Sequence, residues 1–298
     1  MTDQSPGNPP VPNLNPVSVP TRPATRAAAA VPVWSCGDAG RREERDWIVV
    51  EEPLEIRAGG PGQAPVSVAV TMRTPGHDAE LAVGFLFTEG LILDAGEVTR
   101  TQGRAARSLG GPCNVVQVVL SRPFDGAALK RNFFATSSCG VCGKASLDQI
   151  AVRASPVDAG PTVARSVLVG LPETLRSGQA VFERTGGLHA AGLFDAQGGL
   201  ILLREDVGRH NAVDKLVGRA LLDARVPLKG RILLVSGRTS FEILQKAAVA
   251  GVPIVAAVSA PSSLAVAVAQ RLGITLVGFL RGTSFNVYTH PERIDSEL

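Results

Sequence analysis

The sequence predicts an α/β protein with a three-layer α/β/α domain in its C-terminal half and a smaller α+β domain before it. Between residues 232 and 280, apolar segments of strand length alternate with helical segments, and the connections are short. The strand segments are continuous apolar runs, which is typical of strands that helices cover on both faces. This alternation predicts a mostly parallel sheet between two helical layers.

Residues 1–45 are predicted to be a disordered tail. The first 33 residues include eight prolines and almost nothing large and apolar. Such a segment cannot bury enough surface to offset the entropy lost on ordering. We therefore expect the folded part to begin near Trp34 or Trp47.

The predicted α+β domain spans residues 46–160. Its strands are predicted at residues 47–50, 66–72 and 115–120 from their β-branched content. A buried helix is predicted over residues 80–88, ending at Gly90. The domain ends in a Gly- and Ser-rich loop over residues 132–143 and a short helix over residues 145–153.

The C-terminal domain is predicted over residues 161–298. Helices are predicted at residues 172–184, 210–224, 241–250 and 264–272, and strands at residues 189–194, 200–204, 232–236, 254–259 and 275–280. Pro172 is expected in the first turn of its helix, where its missing N–H is tolerated. Ligands of such sheets bind beyond the carboxyl ends of the strands, so the loops there should carry the function.

Composition excludes several classes of function. The chain has 30 basic and 27 acidic residues, whereas a general nucleic-acid binder normally carries a concentrated basic face. Four unevenly spaced cysteines do not make a disulfide framework. No apolar run is long enough to span a bilayer, and no secretory signal is evident. We expect a cytoplasmic protein with reduced thiols that binds neither nucleic acid nor membrane.

Cys139 and Cys142 form the most informative motif, a CxxC pair among glycines and serines. The predicted helix that follows, with Lys144 at its start, would stabilise a thiolate through its N-terminus. Four interpretations remain open: a zinc site, a thioredoxin-like dithiol, two incidental buried cysteines, or a sulfur-transfer cysteine. Missing further ligands weaken the zinc interpretation, and the open setting favours sulfur transfer. Cys36 and Cys113 are expected to be packing residues.

Three loops at predicted strand ends have the composition of anion sites. In the first, Arg209 and His210 lie between a strand and a helix. The residues of the second are Ser236, Gly237, Arg238 and Thr239, and a third, serine-rich loop covers residues 259–263. Helix N-termini attract phosphate, although serines there are also ordinary caps. The structural alternative for the first loop is a capped helix with surface ion pairs, such as Asp214 with Lys215.

The end of the last predicted strand and one histidine complete the candidate ligand site. The candidate residues of this strand end are Phe279, Leu280, Arg281, Gly282, Thr283 and Ser284. Here Arg281 and the hydroxyls could hold a diphosphate or a guanine edge, while Phe279 stacks. His189 is a further candidate, and a structural role as a core histidine is an equally favoured alternative. Neither common nucleotide-binding glycine motif is present.

Five segments together resemble the FdhD family, the formate dehydrogenase accessory sulfurtransferases. In chain order they read SSCGVCGKAS, TGGLHAAGLF, REDVGRHNAVDK, SGRTSFEILQKA and GFLRGTSFNVYTHPERI. The resemblance extends from about residue 47 to residue 294, which leaves only the predicted tail outside it.

This resemblance implies a sulfur carrier. It implies that Cys139 receives sulfur from a cysteine desulfurase as a persulfide, with an open role for Cys142. The acceptor would be bis(molybdopterin guanine dinucleotide), the molybdenum cofactor of formate dehydrogenase, bound in part by residues 279–284. The resemblance also implies a homodimer and a C-terminal domain similar to the cytidine deaminase fold. Ala191 stands where a deaminase has its catalytic glutamate, so zinc-dependent deamination is not expected, and no metal site is predicted.

Overall fold

In the computed structural model, residues 27–38, 40–108, 111–126, 155–157 and 160–295 are described. The strands are β1 (Ala28–Gly37), β2 (Gly40–Val49), β3 (Glu52–Gly59), β4 (Val66–Arg73), β5 (Val98–Ser108), β6 (Gly111–Leu120), β7 (Val163–Ala164), β8 (His189–Phe194), β9 (Leu200–Asp206), β10 (Ile232–Val235), β11 (Ile254–Ala257), β12 (Thr275–Arg281), β13 (Ser284–Thr289) and β14 (Ile294–Asp295). The helices are α1 (Asp78–Thr88), α2 (Arg165–Ser177), α3 (Ala180–Thr185), α4 (Arg209–Leu222), α5 (Phe241–Val249) and α6 (Ser263–Leu272). The longest, α4, has 14 residues, and no helix of the described chain is long and apolar enough to cross a bilayer.

The main sheet has six strands in the order β13-β12-β11-β10-β8-β9. β9, β10, β11 and β12 run in one direction and β8 and β13 in the other, so that only the β10–β11 and β11–β12 pairs are parallel. The prediction of a mostly parallel sheet therefore holds for the direction of four of the six strands, but three of the five strand pairs are antiparallel and the sheet is mixed. The physical reason is that tight hairpins join β8 to β9 and β12 to β13, and a hairpin reverses the strand direction.

Helices cover both faces of this sheet, as the apolar strands predicted. Leu233 and Val235 of β10 belong to the core cluster that α4, α5 and α6 share. Leu234, between them, belongs to a second cluster on the opposite face, together with Leu168 and Leu171 of α2. This division follows from the alternation of side chains along a strand.

The N-terminal part has a four-stranded sheet in the order β4-β3-β6-β5, with α1 packed against it. Its buried residues are continuous with those of the C-terminal part, because Leu54 and Ile56 of β3, Leu81 of α1 and Leu216 of α4 lie in one core cluster. The helix predicted over residues 80–88 is confirmed as α1. Gly90, just beyond its end, has a left-handed φ of 69°.

Two buried ion pairs lie at this junction, one between α4 and β9 and one between α5 and α4. Lys215 of α4 lies 2.6 Å from Asp206, and Lys246 of α5 lies 3.0 Å from Asp214. The surface pair considered between Asp214 and Lys215 is therefore wrong. Neighbouring residues on a helix do not face each other, and each finds its partner on another element.

The segment 28–45 corrects the predicted tail, because β1 and β2 form an antiparallel ribbon there. Composition could not reveal this, since the order comes from cross-strand pairing and from burial at the base of the ribbon. Ala28 is buried, and the guanidinium of Arg184 lies 3.2 Å from the centroid of the Trp47 ring. Residues 1–26 lie outside the described residues.

The helix predicted over residues 172–184 is two helices. Helix α2 begins seven residues earlier, at Arg165, and contains Pro172 in its interior; α3 follows after a break at Gly178. Leu168, Leu171 and Leu175 are all buried at helical spacing. Their burial offsets the backbone hydrogen bond that Pro172 cannot donate.

Candidate functional site

His189 begins β8 at the edge of the sheet where β10 and β11 end. This placement follows from the antiparallel pairing of β8 with β10. The N–H of Ala190 donates to the Ser236 hydroxyl at 2.9 Å, which fixes the loop after β10 beside β8. A Cβ atom on Gly237 would lie 3.1 Å from His189 Nδ1, so a larger residue at position 237 would crowd the imidazole.

Cationic residues from two loops surround His189. Burial lowers the pKa of the His189 imidazole, and the neighbouring Arg209, His210 and Arg238 lower the same pKa further. Asp206 acts in the opposite direction without reversing the shift. The site therefore combines a histidine of lowered pKa with the guanidinium groups of Arg209 and Arg238, which is a favourable environment for an anion.

His210 links the two helices that border the cluster. Its Nε2 lies 2.8 Å from Glu242 Oε2 and 3.1 Å from the Ser240 hydroxyl, so the N-terminal ends of α4 and α5 are held together. The hydrogen bond from His210 lowers the pKa of Glu242. His210 is thus committed to a structural contact through one nitrogen, and Arg209 is the more available cation.

Two buried polar atoms at this edge have no hydrogen-bond partner among the described residues. They are the Thr239 hydroxyl oxygen, on a side chain that is 1% exposed, and Arg209 Nε. An unpaired buried donor costs stability that a bound acceptor would recover. These atoms therefore fit a ligand that carries hydrogen-bond acceptors, such as phosphate oxygens.

The loop after β11 joins the cluster to the last hairpin. The N–H of Thr239 donates to the Ala260 carbonyl at 3.2 Å, and the N–H of Phe279 donates to the Ser259 carbonyl at 3.1 Å. In the same loop, the Ser262 hydroxyl accepts from the N–H of Ala265 and caps α6. For Ser262 the ordinary capping role is therefore the observed one.

The hairpin between β12 and β13 presents most of the residues predicted for it. Phe279 has a left-handed φ of 53°, and the Arg281 guanidinium lies 5.3 Å from its ring centroid. Gly282, Thr283 and Ser284 are exposed at the turn. Leu280 is buried in the core, so its backbone is the part that a ligand could reach.

A cavity of about 600 Å³ opens beside His189, between the sheet edge and helices α2 and α3. His189, Ser236 and Val258 line its sheet side, and Arg176 and Phe182 line its helical side. The helical side was missed from the sequence, because residues 172–184 were predicted as one continuous helix and the break that shapes the cavity was not recognised.

Glu205 holds the helical wall of this cavity in place. Its carboxylate accepts from the N–H groups of Phe182 at 3.0 Å and Val181 at 3.4 Å, at the start of α3. Burial raises the pKa of Glu205, while these hydrogen bonds act against that shift. Glu205 lies on β9, the strand that leads to Arg209 and His210. One strand therefore both positions α3 and carries the chain into the cationic residues.

Cys139 and Cys142 lie outside the described residues. Cys113 lies on β6, and its side chain is not described. Cys36 was expected to be a packing residue, but it is exposed near the tip of the ribbon. The structure thus brings together the predicted residues of the β8, β10 and α4 loops and connects them to the hairpin through the β11 loop.

The chain is similar to proteins of a known family. The profile of the FdhD/NarQ family matches residues 49–295. A sulfur carrier protein FdhD of Mycolicibacterium paratuberculosis is 52% identical over 266 residues, covering 87% of this chain and 95% of that protein. A sulfur carrier protein FdhD of Streptomyces avermitilis is 52% identical over 257 residues, covering 84% and 89%.

A solved structure is similar as well. It is that of a protein described as a formate dehydrogenase accessory protein from Desulfotalea psychrophila. The TM-score is 0.69 at 26% sequence identity, and the match covers 90% of this chain and 100% of that one.

Proposed function

Since the chain belongs to the FdhD/NarQ family, we propose that it carries sulfur as a persulfide on Cys139 and delivers it to the molybdenum cofactor of formate dehydrogenase. The donor is a cysteine desulfurase, and the acceptor is bis(molybdopterin guanine dinucleotide), bound as a substrate before its insertion into the enzyme. Because the chemistry needs reduced thiols, we assign it to the cytoplasm.

The observation that supports acceptor binding is the cationic edge of the sheet. Arg209 and Arg238 act on His189 electrostatically, and the Thr239 hydroxyl, which follows Arg238, is buried with no hydrogen-bond partner in the described part of the chain. A dinucleotide cofactor carries phosphate oxygens, which such groups bind. The hairpin with Phe279 and Arg281 extends the same edge.

The proposed transfer has two steps. The Cys139 thiolate attacks the sulfane sulfur of the donor persulfide, which forms the Cys139 persulfide and releases the donor cysteine as a thiolate. In the second step the sulfane sulfur is released from Cys139 at the level of hydrosulfide and replaces an oxygen ligand of the molybdenum, which leaves as water. If the Cys142 thiolate attacks the inner sulfur of Cys139, it closes a disulfide and releases hydrosulfide, and a thiol reductant must then restore both cysteines.

A second proposal concerns the fold and is more specific than the observed arrangement of helices on both faces of a sheet. We propose that the C-terminal domain is layered like cytidine deaminase, with the deaminase chemistry replaced. Ala191 is buried within β8 next to Ala190 and cannot act as an acid or a base. A shared scaffold with a different site is a common relationship between families.

A purified cysteine desulfurase and isotopically labelled cysteine test the donor step. Wild-type protein is expected to gain one sulfur atom on the peptide that contains Cys139, as measured by mass, and Cys139→Ala is expected to gain none. Cys36→Ala is a matched control, because Cys36 is an exposed cysteine outside the motif. Equal labelling of the wild type and Cys139→Ala would contradict the proposal.

The alternative function is a chaperone that shelters the cofactor without sulfur chemistry. It is favoured by the cationic edge and by the cavity beside His189, which could receive a ligand whether or not a cysteine takes part. A chaperone would support formate dehydrogenase activation in the Cys139→Ala variant, whereas the sulfur carrier would not.

A further inference from the structure

Helix α3 forms part of the wall of the cavity beside His189, and its position depends on contacts with other elements. The helix has six residues, and the described part of the chain buries none of them. A helix of this length is not stable in water by itself, because its few hydrogen bonds do not offset the cost of nucleation. The contacts that hold α3 therefore also determine where this part of the cavity wall lies.

The start of α3 is held by residues of β9 and α2. The Glu205 carboxylate of β9 accepts from the N–H groups of Val181 and Phe182. The Arg176 guanidinium of α2 lies 4.3 Å from the centroid of the Phe182 ring, which is within the range of a cation–π contact. These contacts fix the first turn of α3 but do not reach its C-terminal end.

The C-terminal end of α3 contacts the base of the ribbon that β1 and β2 form. The guanidinium of Arg184, in the last turn of α3, lies 3.2 Å from the centroid of the Trp47 ring. Just beyond the helix, a Cβ atom on Gly187 would lie 3.0 Å from Val49 Cγ1, so Val49 packs directly against the backbone there. Two residues after Gly187, the chain reaches His189. The ribbon therefore contacts both α3 and the segment that leads into His189.

The side chains of β2 explain which face of the ribbon packs on α3. Trp47 and Val49 point to the same face because side chains alternate along a strand, and both are partly buried. Ile48, between them, points to the other face and is 44% exposed. The residues paired with Trp47 and Val49 on β1 are alanines, whose small side chains leave room for the indole ring. The ribbon base thus has one contact face, and α3 packs on it.

We propose that the ribbon base, Trp47 and Val49, is a clamp that positions α3 and His189 at the cavity. Trp47 is a positioning residue in this clamp, because it does not line the cavity and acts through Arg184. The family profile begins at residue 49, so Trp47 lies outside the matched segment. The effect of the clamp on acceptor binding rests on the proposed function, whereas the positions of α3 and His189 can be measured without a ligand.

Amide hydrogen exchange of the full chain tests the clamp. In Trp47→Ala, the N–H groups of Val181 and Phe182 are expected to exchange about tenfold faster than in the wild type, because α3 loses one of its holding contacts. Arg184→Ala removes the same contact from the helix side and is expected to have an equal effect. Because Arg184 is exposed, this variant decides the question even where Trp47→Ala fails to fold. Combining the two substitutions is expected to add nothing to either one.

A rescue variant and a matched control separate positioning from a general loss of stability. Trp47→Phe keeps an aromatic ring for the guanidinium and is expected to exchange within about threefold of the wild type. Trp34→Ala is the control, because the Trp34 ring lies 3.9 Å from Arg41 in a similar pair whose two residues both belong to the ribbon. This control is expected to leave exchange in α3 unchanged.

The imidazole of His189 gives a second readout that needs no ligand. Burial lowers its pKa, and Arg209, His210 and Arg238 lower the pKa further. Asp206 acts in the opposite direction. In both single variants that remove the clamp, water reaches the imidazole more easily, so the pKa is expected to rise towards its ordinary value. Proton NMR titration measures this change, and His189→Asn assigns the signal among the four histidines of the chain.

Guanosine diphosphate connects the clamp to the proposed function. Its dissociation constant is expected to rise about fivefold in Trp47→Ala and to stay unchanged in Trp34→Ala. Failure of the wild type to bind it would contradict the proposed function, whereas the exchange rates would still decide the clamp. Wild-type exchange of α3 in both Trp47→Ala and Arg184→Ala, or an equal effect of Trp34→Ala, would overturn the clamp. Sulfur loading of Cys139 is measured separately and is expected to be the same in all these variants.

Discussion

Gly84 of α1 and Gly218 of α4 face each other where the two helices cross. A Cβ atom on Gly84 would lie 1.9 Å from the carbonyl oxygen of Asp214, and one on Gly218 would lie 1.9 Å from the carbonyl oxygen of Glu80. The two backbones are therefore in direct contact. This contact sets how closely the N-terminal sheet, through α1, approaches the helix that begins at Arg209.

The first prediction concerns this crossing. Gly218→Ala is expected to lower the free energy of unfolding by about 3 kcal/mol, because the added methyl group meets backbone that cannot rotate away. Urea denaturation measures the change. Gly170→Ala in α2 is the matched control, since nothing lies within 4 Å of its Cβ position. That control is expected to gain up to about 1 kcal/mol from helix propensity. Equal stability of the two variants would refute the close contact.

The second prediction concerns Glu80, beside this crossing. Burial alone would raise its pKa, but hydrogen bonds from His77 and Arg204 overcome that effect and lower the pKa to about 2. Arg204 contacts the carboxylate through two nitrogens, at 2.6 and 2.9 Å. A depressed pKa means that the ionised group stabilises the fold at neutral pH, and that this contribution is lost as the pH falls from about 4.5 towards 2.

Glu80→Gln is therefore expected to be about 3 kcal/mol less stable than the wild type at pH 7. The two free energies of unfolding should converge as the pH approaches 2, and urea titrations at a series of pH values measure them. A difference between the proteins that stays constant over this range would show that the Glu80 charge does not contribute.

The third prediction concerns the buried pair of Lys246 and Asp214. Lys246 Nζ lies 3.0 Å from Asp214 Oδ1 and donates to the Thr88 hydroxyl at 2.9 Å. Lys246→Met leaves the Asp214 charge buried without its ammonium partner and is expected to cost about 4 kcal/mol. Adding Asp214→Asn should recover more than half of that loss in thermal or urea unfolding. A double variant less stable than Lys246→Met would contradict this account.

Several elements could be predicted from the sequence because their signals are local. The apolar runs of β10, β11 and β12 and the buried α1 were all found in their places. The ribbon, the mixed sheet and the division of α2 from α3 could not be predicted. They depend on strand partners, on the direction in which a strand enters the sheet, and on leucine burial that overrides Pro172.

The candidate site was predictable to a similar extent. His189, Arg209 and Arg238 meet because strand ends converge at one sheet edge, which the alternation of strands and helices already indicated. The cavity wall that Phe182 forms could not be predicted. It depends on a contact between distant elements, in which the Glu205 carboxylate of β9 accepts from the Phe182 N–H and holds α3 in place. Leu280 was included with a ligand-binding segment, but strand alternation places its side chain in the core.

The fourth prediction concerns ligand binding at the cationic edge. Burial and nearby cations lower the pKa of His189, and a bound diphosphate would offset those cations and raise it again. Guanosine diphosphate is therefore expected to bind with proton uptake, and more tightly at pH 6 than at pH 8. Calorimetry in two buffers of different ionisation enthalpy measures the uptake.

His189→Asn is expected to remove the proton uptake that accompanies guanosine diphosphate binding. His290→Asn serves as the control, because His290 follows β13 near the opposite end of β12, where Thr275 donates to its carbonyl. Proton uptake that persists in His189→Asn and disappears in His290→Asn would place the ligand elsewhere.

The most direct test of the central claim follows labelled sulfur through both steps. Protein loaded with labelled persulfide is separated from the desulfurase and mixed with bis(molybdopterin guanine dinucleotide) cofactor whose molybdenum lacks the transferred sulfur ligand. The label is expected to leave the Cys139 peptide and appear in the cofactor, and that cofactor should activate formate dehydrogenase. Label that stays on Cys139 while the cofactor still activates the enzyme would contradict the sulfur-carrier account.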